Sequence, residues 1–337
     1  MDKQFFRSRE FLIALGVSVT LVAGVALAAT FAPATTFAAS GCSPVPAGTT
    51  VASPASTTAP EKDGRVITRT VTYEFRAANV TAGRLALCTD TGGITVVPSP
   101  DDKVRVTFTL RAEGASAEER LQGLQVEAAS ALQGDRLTVG ARQVNSPQWS
   151  GFLWGGQSAG VSVTVAVPAA LAVDVGATTD TGTITLTGIR ARDVSLATDT
   201  GAVKVTDLPE AGDLRVRTDT GSITVDVATA GDLDLSTDTG RIRAALRTVT
   251  TGAMTLRTDT GSIHLTVPRA TDVGYDVTAS TDTGSITADL GETELKETRK
   301  DGPSEHLRLR TKDYATRGVQ VRIGATTDTG SITLESR

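Results

Sequence analysis

The residues of this chain whose types and spacing could do chemistry lie in one tetrapeptide, Thr-Asp-Thr-Gly, present in eight copies. The copies begin at Thr89, Thr179, Thr198, Thr218, Thr237, Thr258, Thr281 and Thr327. If successive copies stack, Asp180, Asp199, Asp219, Asp238, Asp259, Asp282 and Asp328 form a column of carboxylates about 4.8 Å apart. Each adjacent pair then repels by about 0.9 kcal/mol in a water-like dielectric. A bound calcium ion would relieve that repulsion, so these aspartates are the candidate metal ligands. Calcium takes about six to eight oxygens, and one carboxylate per repeat is a thin supply. The structural reading competes with it. Asp followed two residues later by Gly suits a tight turn, because the carboxylate can accept a backbone N–H and Gly tolerates positive φ.

Other chemistry is sparse. The two histidines, His264 and His306, show no pairing with a nucleophile, and two cysteines with two histidines give no zinc or iron spacing. No catalytic residue is nominated, and no cofactor beyond calcium. Both tryptophans lie in one short stretch, where Trp149, Phe152 and Trp154 could contact a glycan or a partner protein. The alternative is that this stretch covers an open end of the fold. The net charge of −5 is spread without a basic stripe, which argues against nucleic acid.

The elements that position the motif are set by its period. Steps of 19, 20, 19, 21 and 23 residues separate the copies from Thr179 to Thr281. A period near 20 indicates a solenoid. Aligned on the motif Asp, apolar residues recur five and three positions before it and four and six after it. Leu214/Val216 with Ile223/Val225 and Leu233/Leu235 with Ile242/Ala244 are examples. A spacing of two on each side predicts two short strands with apolar faces turned to one interior, joined by the motif as a corner. A second corner recurs at Gly212-Asp213, Gly231-Asp232 and Gly252-Ala253. The expected fold is all-β, a single-chain parallel β-solenoid with Ile, Val and Leu ladders inside and Thr and Ser outside. A right-handed sense is the default for such crossovers. Residues 289–318 interrupt the pattern with a charged insertion, read as a solvated loop followed by a decayed repeat at His306–Asp313.

The chain before the repeats divides by composition. Lys3, Arg7 and Arg9 precede an uncharged apolar run ending near Ala32, which predicts export of the chain beyond it. Residues 1–41 are read as a signal peptide or a membrane anchor. Ala39-Ser40-Gly41-Cys42 matches a lipoprotein cleavage box, making Cys42 a lipidation candidate. Pairing of Cys42 with Cys88 is the competing fate, since one sulfur cannot do both. Residues 42–63, rich in Pro, Ser, Thr and Ala, are expected to form a mobile tether. The solenoid domain spans 64–337, less regular over 64–175 and repetitive from 176. Strand-like runs occupy 66–75, 104–110, 136–139 and 162–167, and Ser116–Leu121 could form a short helix.

An N-terminal membrane segment, then strands, then Val167-Pro168-Ala169-Ala170-Leu171-Ala172-Val173, then short Thr/Asp/Gly repeats: this order resembles the bacterial putative-adhesin family, a domain of unknown function in cell-envelope proteins. The resemblance covers about residues 65–337. It implies a β-solenoid with an extracytoplasmic, non-catalytic role and supplies no catalytic residues. The expected function is therefore an adhesin-like or scaffold protein presenting repeated Thr/Asp corners, held to the membrane by its N-terminal segment or a lipid, or secreted if that segment is cleaved without lipidation, with a cell-surface protein or glycan as partner. A partner-binding module in envelope stress sensing and a glycan-active β-helix enzyme are the alternatives.

Overall fold

The computed structural model describes residues 50–77, 83–130, 136–143 and 159–337. All of these belong to one compact unit, residues 39–337. The N-terminal apolar segment, Cys42 and the stretch holding Trp149, Phe152 and Trp154 lie outside the described residues. Among the described residues no helix is long and apolar enough to cross a membrane.

Each repeat forms a strand, a corner at the motif, and a second strand. Leu214–Thr220 and Ile223–Ala230 show the pattern, alternating buried with more exposed positions. All strands that precede a motif join one 13-stranded sheet, and all strands that come after one join a second. The inward residues of both sheets merge into a single apolar core. Pairing between coils is parallel and in register. Leu214 sits between Val194 and Leu233, and Ile223 sits between Val203 and Ile242. Like residues therefore stack on like, as the apolar spacing predicts.

The stack does not keep chain order. It runs through the coils of Thr89, Thr179, Thr198, Thr218, Thr237 and Thr258. Next comes the coil of Thr327, and the coil of Thr281 lies beyond it. The second sheet has the same order, with Ile332–Ser336 lying between Ile263–Val267 and Ile286–Asp289.

The charged insertion is not a loop, and its second half is not a decayed coil. Thr293–Asp301 and Ser304–Thr311 form a hairpin that pairs antiparallel to the Thr281 strand. Reversed direction excludes it from the parallel stack. Its inner arm buries Leu307, Leu309 and Thr311, while the outer arm is charged and almost wholly exposed. A charged edge of this kind resists pairing with another sheet. The hairpin also serves the open edge of the second sheet. The buried Glu305 carboxylate accepts the Ile286 N–H at 3.2 Å, and Lys296 Nζ donates to the Ala288 carbonyl at 3.3 Å.

At the other end the chain departs from the coil pattern. Ala159–Pro168 continues the second sheet in parallel, and Lys103–Glu113 and Val66–Arg76 add to it antiparallel. The predicted helix forms over Ala117–Gln122, buries Ala117 and Leu121, and touches strands of both sheets. Residues 50–63, expected to be tether, instead contribute three short strands, Thr50–Val51, Ser56–Thr57 and Glu61–Asp63. Strand addition is driven by backbone hydrogen bonds and needs no apolar side chain, so composition hides it.

Glu305→Ala should leave the Ile286 N–H without its acceptor and cost about 1–3 kcal/mol in denaturant unfolding. A loss within experimental error would show that the carboxylate does not hold this edge.

Candidate functional site

The repeated corner is built by its first and last residues. The first threonine of every motif is buried: Thr179, Thr218 and Thr258 are 0% exposed, and the other five reach at most 2%. This corrects the expectation that threonine lies outside at the first motif position alone, since Thr181, Thr200 and Thr220 at the third position are exposed. The position directly before the Asp continues the inward alternation set by the two apolar residues before it. Each buried hydroxyl finds an acceptor. Thr198 Oγ1 donates to the Gly182 carbonyl at 3.3 Å, Thr218 to Gly201 at 3.1 Å and Thr237 to Gly221 at 3.1 Å, one coil back in the stack, while Thr89 donates to its own Gly92 at 3.3 Å. The ladder passes through the displaced coil unbroken, since Thr327 donates to Gly261 and Thr281 to Gly330.

Glycine is fixed at the fourth position by contact. A Cβ on Gly221 would lie 1.8 Å from the Gly201 carbonyl oxygen, and one on Gly240 would lie 1.8 Å from that of Gly221. Backbone pairing continues through the corner, where the Gly221 N–H donates to the Thr239 carbonyl at 2.9 Å and the Gly240 N–H to that of Thr260 at 2.9 Å. No side chain fits between backbones that close.

The seven candidate aspartates do stack in one column, because the threonines on either side of them pair coil to coil. Burial, then the charges of Asp90 and Asp199 on either side, push the Asp180 carboxyl above the usual range. Asp219 and Asp259 are answered by arginines two residues upstream, with Arg217 at 3.4 Å and Arg257 at 3.5 Å. Among the described residues no group of three or more His, Cys, Asp or Glu side chains is arranged to hold a metal ion. By accessible surface Asp180 is nonetheless exposed, as are Asp199, Asp238, Asp282 and Asp328, so the desolvation of Asp180 is partial and comes from the stacked neighbours.

A second carboxylate column escaped the sequence reading. At the glycine corner, Asp193 Oδ1 accepts the Asp213 N–H at 3.3 Å, and Asp213 Oδ1 accepts the Asp232 N–H at 3.1 Å. Asp232 Oδ1 then accepts the Ala253 N–H at 2.8 Å. The recurrent Gly-Asp pair was its signal. His264 lies on the outer face of the second sheet, with Nε2 3.2 Å from Glu335 Oε1, so it joins two coils; His306 is exposed on the hairpin. Burial opposes ionisation of Glu335, but the Thr266 hydroxyl, Arg337 and His264 outweigh it and hold the carboxyl below its ordinary range. Cys88 is held in a disulfide.

The profile of the family described as Toastrack DUF4097 matches residues 85–334, which spans every motif. The chain belongs to the Toastrack DUF4097 family. No curated protein matches it. Among solved structures it is similar to a "putative cell adhesion protein" from Clostridium sporogenes ATCC 15579. The identity is 9%, the TM-score 0.37, and the match covers 83% of this chain and 100% of that one. It is also similar to a "putative adhesin" from Bacteroides fragilis NCTC 9343, at 13% identity and TM-score 0.32, covering 78% of this chain and 96% of that one. The residues matched in this Toastrack protein include the out-of-order coil at Thr327.

Three substitutions in one coil rank the roles of the motif. Gly240→Ala should fall at the severe end for a point change, about 4 kcal/mol. Thr237→Val should cost about 1–3 kcal/mol by leaving a buried carbonyl short of a donor, and Asp238→Asn should stay within about 0.5 kcal/mol of the parent. Denaturant unfolding gives the order, and a ranking with Asp238 first would overturn the structural reading.

Asp180 adds a pH dependence. Its folded-state pKa is raised, so the folded state binds more protons than the unfolded one between the ordinary Asp value and the raised value. Its contribution to stability therefore falls as pH rises through that window. Asp180→Asn should remove this component from the pH–stability curve, and an unchanged curve would refute it.

Proposed function

We propose that this Toastrack chain is a non-catalytic, extracytoplasmic adhesin-like scaffold whose contact surface is the flat outer face of the second sheet. One observation carries the reading. Thr72, Thr107, Thr164, Thr95 and Thr185 stand in direct register across five adjacent strands of that face. Thr164 is exposed and the other four are half-buried, so each presents part of a methyl and a hydroxyl. With strands about 4.8 Å apart, the row offers hydrogen-bonding groups at regular intervals on a backbone that cannot flex locally. A repetitive partner such as an envelope glycan would meet the same chemistry at every strand. Threonine also holds few rotamers, which lowers the ordering cost of contact.

Support for location comes from the charged and apolar N-terminal segment and from the Cys88 disulfide, which belongs in an oxidising compartment. Membrane attachment would use that segment; a lipid on Cys42 would compete with the Cys88 disulfide, since the chain has two cysteines. Mass spectrometry of the exported, unreduced protein distinguishes a lipidated Cys42 from one joined to Cys88.

The test is a glycan array and whole-cell binding assay with the parent and a Thr95→Lys, Thr107→Lys, Thr164→Lys triple variant. Binding should fall at least about tenfold with the melting midpoint retained. Equal binding by the variant would remove this face from the proposal, and turnover of any polysaccharide would overturn the non-catalytic role.

A further inference from the structure

We infer that residues 319–337 form a donor coil, a segment that fills a slot left open between two earlier coils and closes the stack only after both are in place. The crossover out of Val267, residues 268–272, carries the chain past one position in the stack, and the motif step across it is 23 residues where the earlier steps are 19 to 21. Val273–Thr283 forms no ladder with Gly252–Thr260; instead both pair with Val319–Thr329. Without the donor, the flanking strands would stand two spacings apart, about 9.6 Å, with a strand-wide gap through both sheets.

The donor fits that slot in every respect that a permanent coil does. Ile323, Ala325, Ile332 and Leu334 are at most 2% exposed. Its motif joins both the threonine and glycine ladders, and a Cβ on Gly330 would meet the Gly261 carbonyl oxygen at 1.7 Å. Both ends are tied to the crossover that made the gap. The Val319 N–H donates to the Asp272 carbonyl at 3.0 Å, the Arg337 N–H donates to Val267 at 3.0 Å, and the Arg269 N–H donates to Arg337 at 2.7 Å.

A terminal solenoid repeat has one neighbour and frays on its own. This coil has two, so its release would open the core on both sides. On the export proposed above, it is also the coil that emerges after both of its neighbours, which leaves the stack unable to close until it arrives. The slot itself does not depend on that reading, and its test is made in solution.

The experiment uses the full chain with a protease site placed between Arg317 and Gly318 in the exposed connection. The nicked fragment should co-elute with the body in native buffer. After unfolding, removal of the released fragment and refolding with a labelled 319–337 peptide in excess, one peptide should be captured per chain. A Gly330→Ala peptide should be captured at least about tenfold less, as should the native peptide by the un-nicked chain, whose own coil competes at a millimolar effective concentration. Spontaneous loss of the fragment with an unchanged melting midpoint would overturn the proposal, and so would equal capture of both peptides. Hydrogen exchange on the intact chain decides the matter if the nicked protein does not refold. The amides of 319–329 should exchange together with those of 252–260 and 273–283, and earlier exchange confined to 319–337 would overturn it.

Discussion

The constraint on which this structure depends is the approach of one motif glycine to the next. Carbonyl oxygen and Cα come so close at each corner that a methyl group would stand within 2.1 Å of the neighbouring backbone. Such contact is open only to glycine, and it brings the carbonyl within reach of the buried threonine of the adjacent coil. The two requirements reinforce one another. Close backbones make the hydroxyl bond, and the bond answers a threonine oxygen that would otherwise be costly inside an apolar core. The same spacing forces the aspartates into a column, where mutual repulsion is offset at Arg217 and Arg257 and persists at Asp180.

Ladders of this kind are indifferent to chain order. A coil is accepted wherever its apolar pair, its threonine and its glycine meet matching partners, and every coil offers the same four features. This is why the Thr327 coil can lie between those of Thr258 and Thr281 without disturbing a hydrogen bond. What cannot be shared is the end of the stack. There the chain abandons repetition and uses specific side chains: a charged outer strand, Glu305 and Lys296 on the exposed edge, and a short helix at the opposite end.

Much of the coil was legible because one coil contains its own register. The spacing of Leu214, Val216, Ile223 and Val225 gives two strands and a corner without knowledge of any neighbour. The inward threonine was legible too, as the next member of that alternation, but threonine's usual preference for strand surfaces masks it. The hairpin over 293–311 was hidden by its charge. One arm is an edge strand with nothing to bury, and the buried Glu305 is answered by the N–H of a distant strand and by Lys300.

The sequence by itself determined the repeating unit: its length, its inward faces, its two corners and the residues obligatory at the first of them. Those properties are local, set by the period of side chains along a strand and by the conformations that glycine permits. Tertiary structure alone decided which coil lies beside which, where the threonine hydroxyl finds its acceptor, and how the open edges are closed. Each of these is a contact between segments tens of residues apart, and identical repeats carry no local mark of which neighbour they will meet.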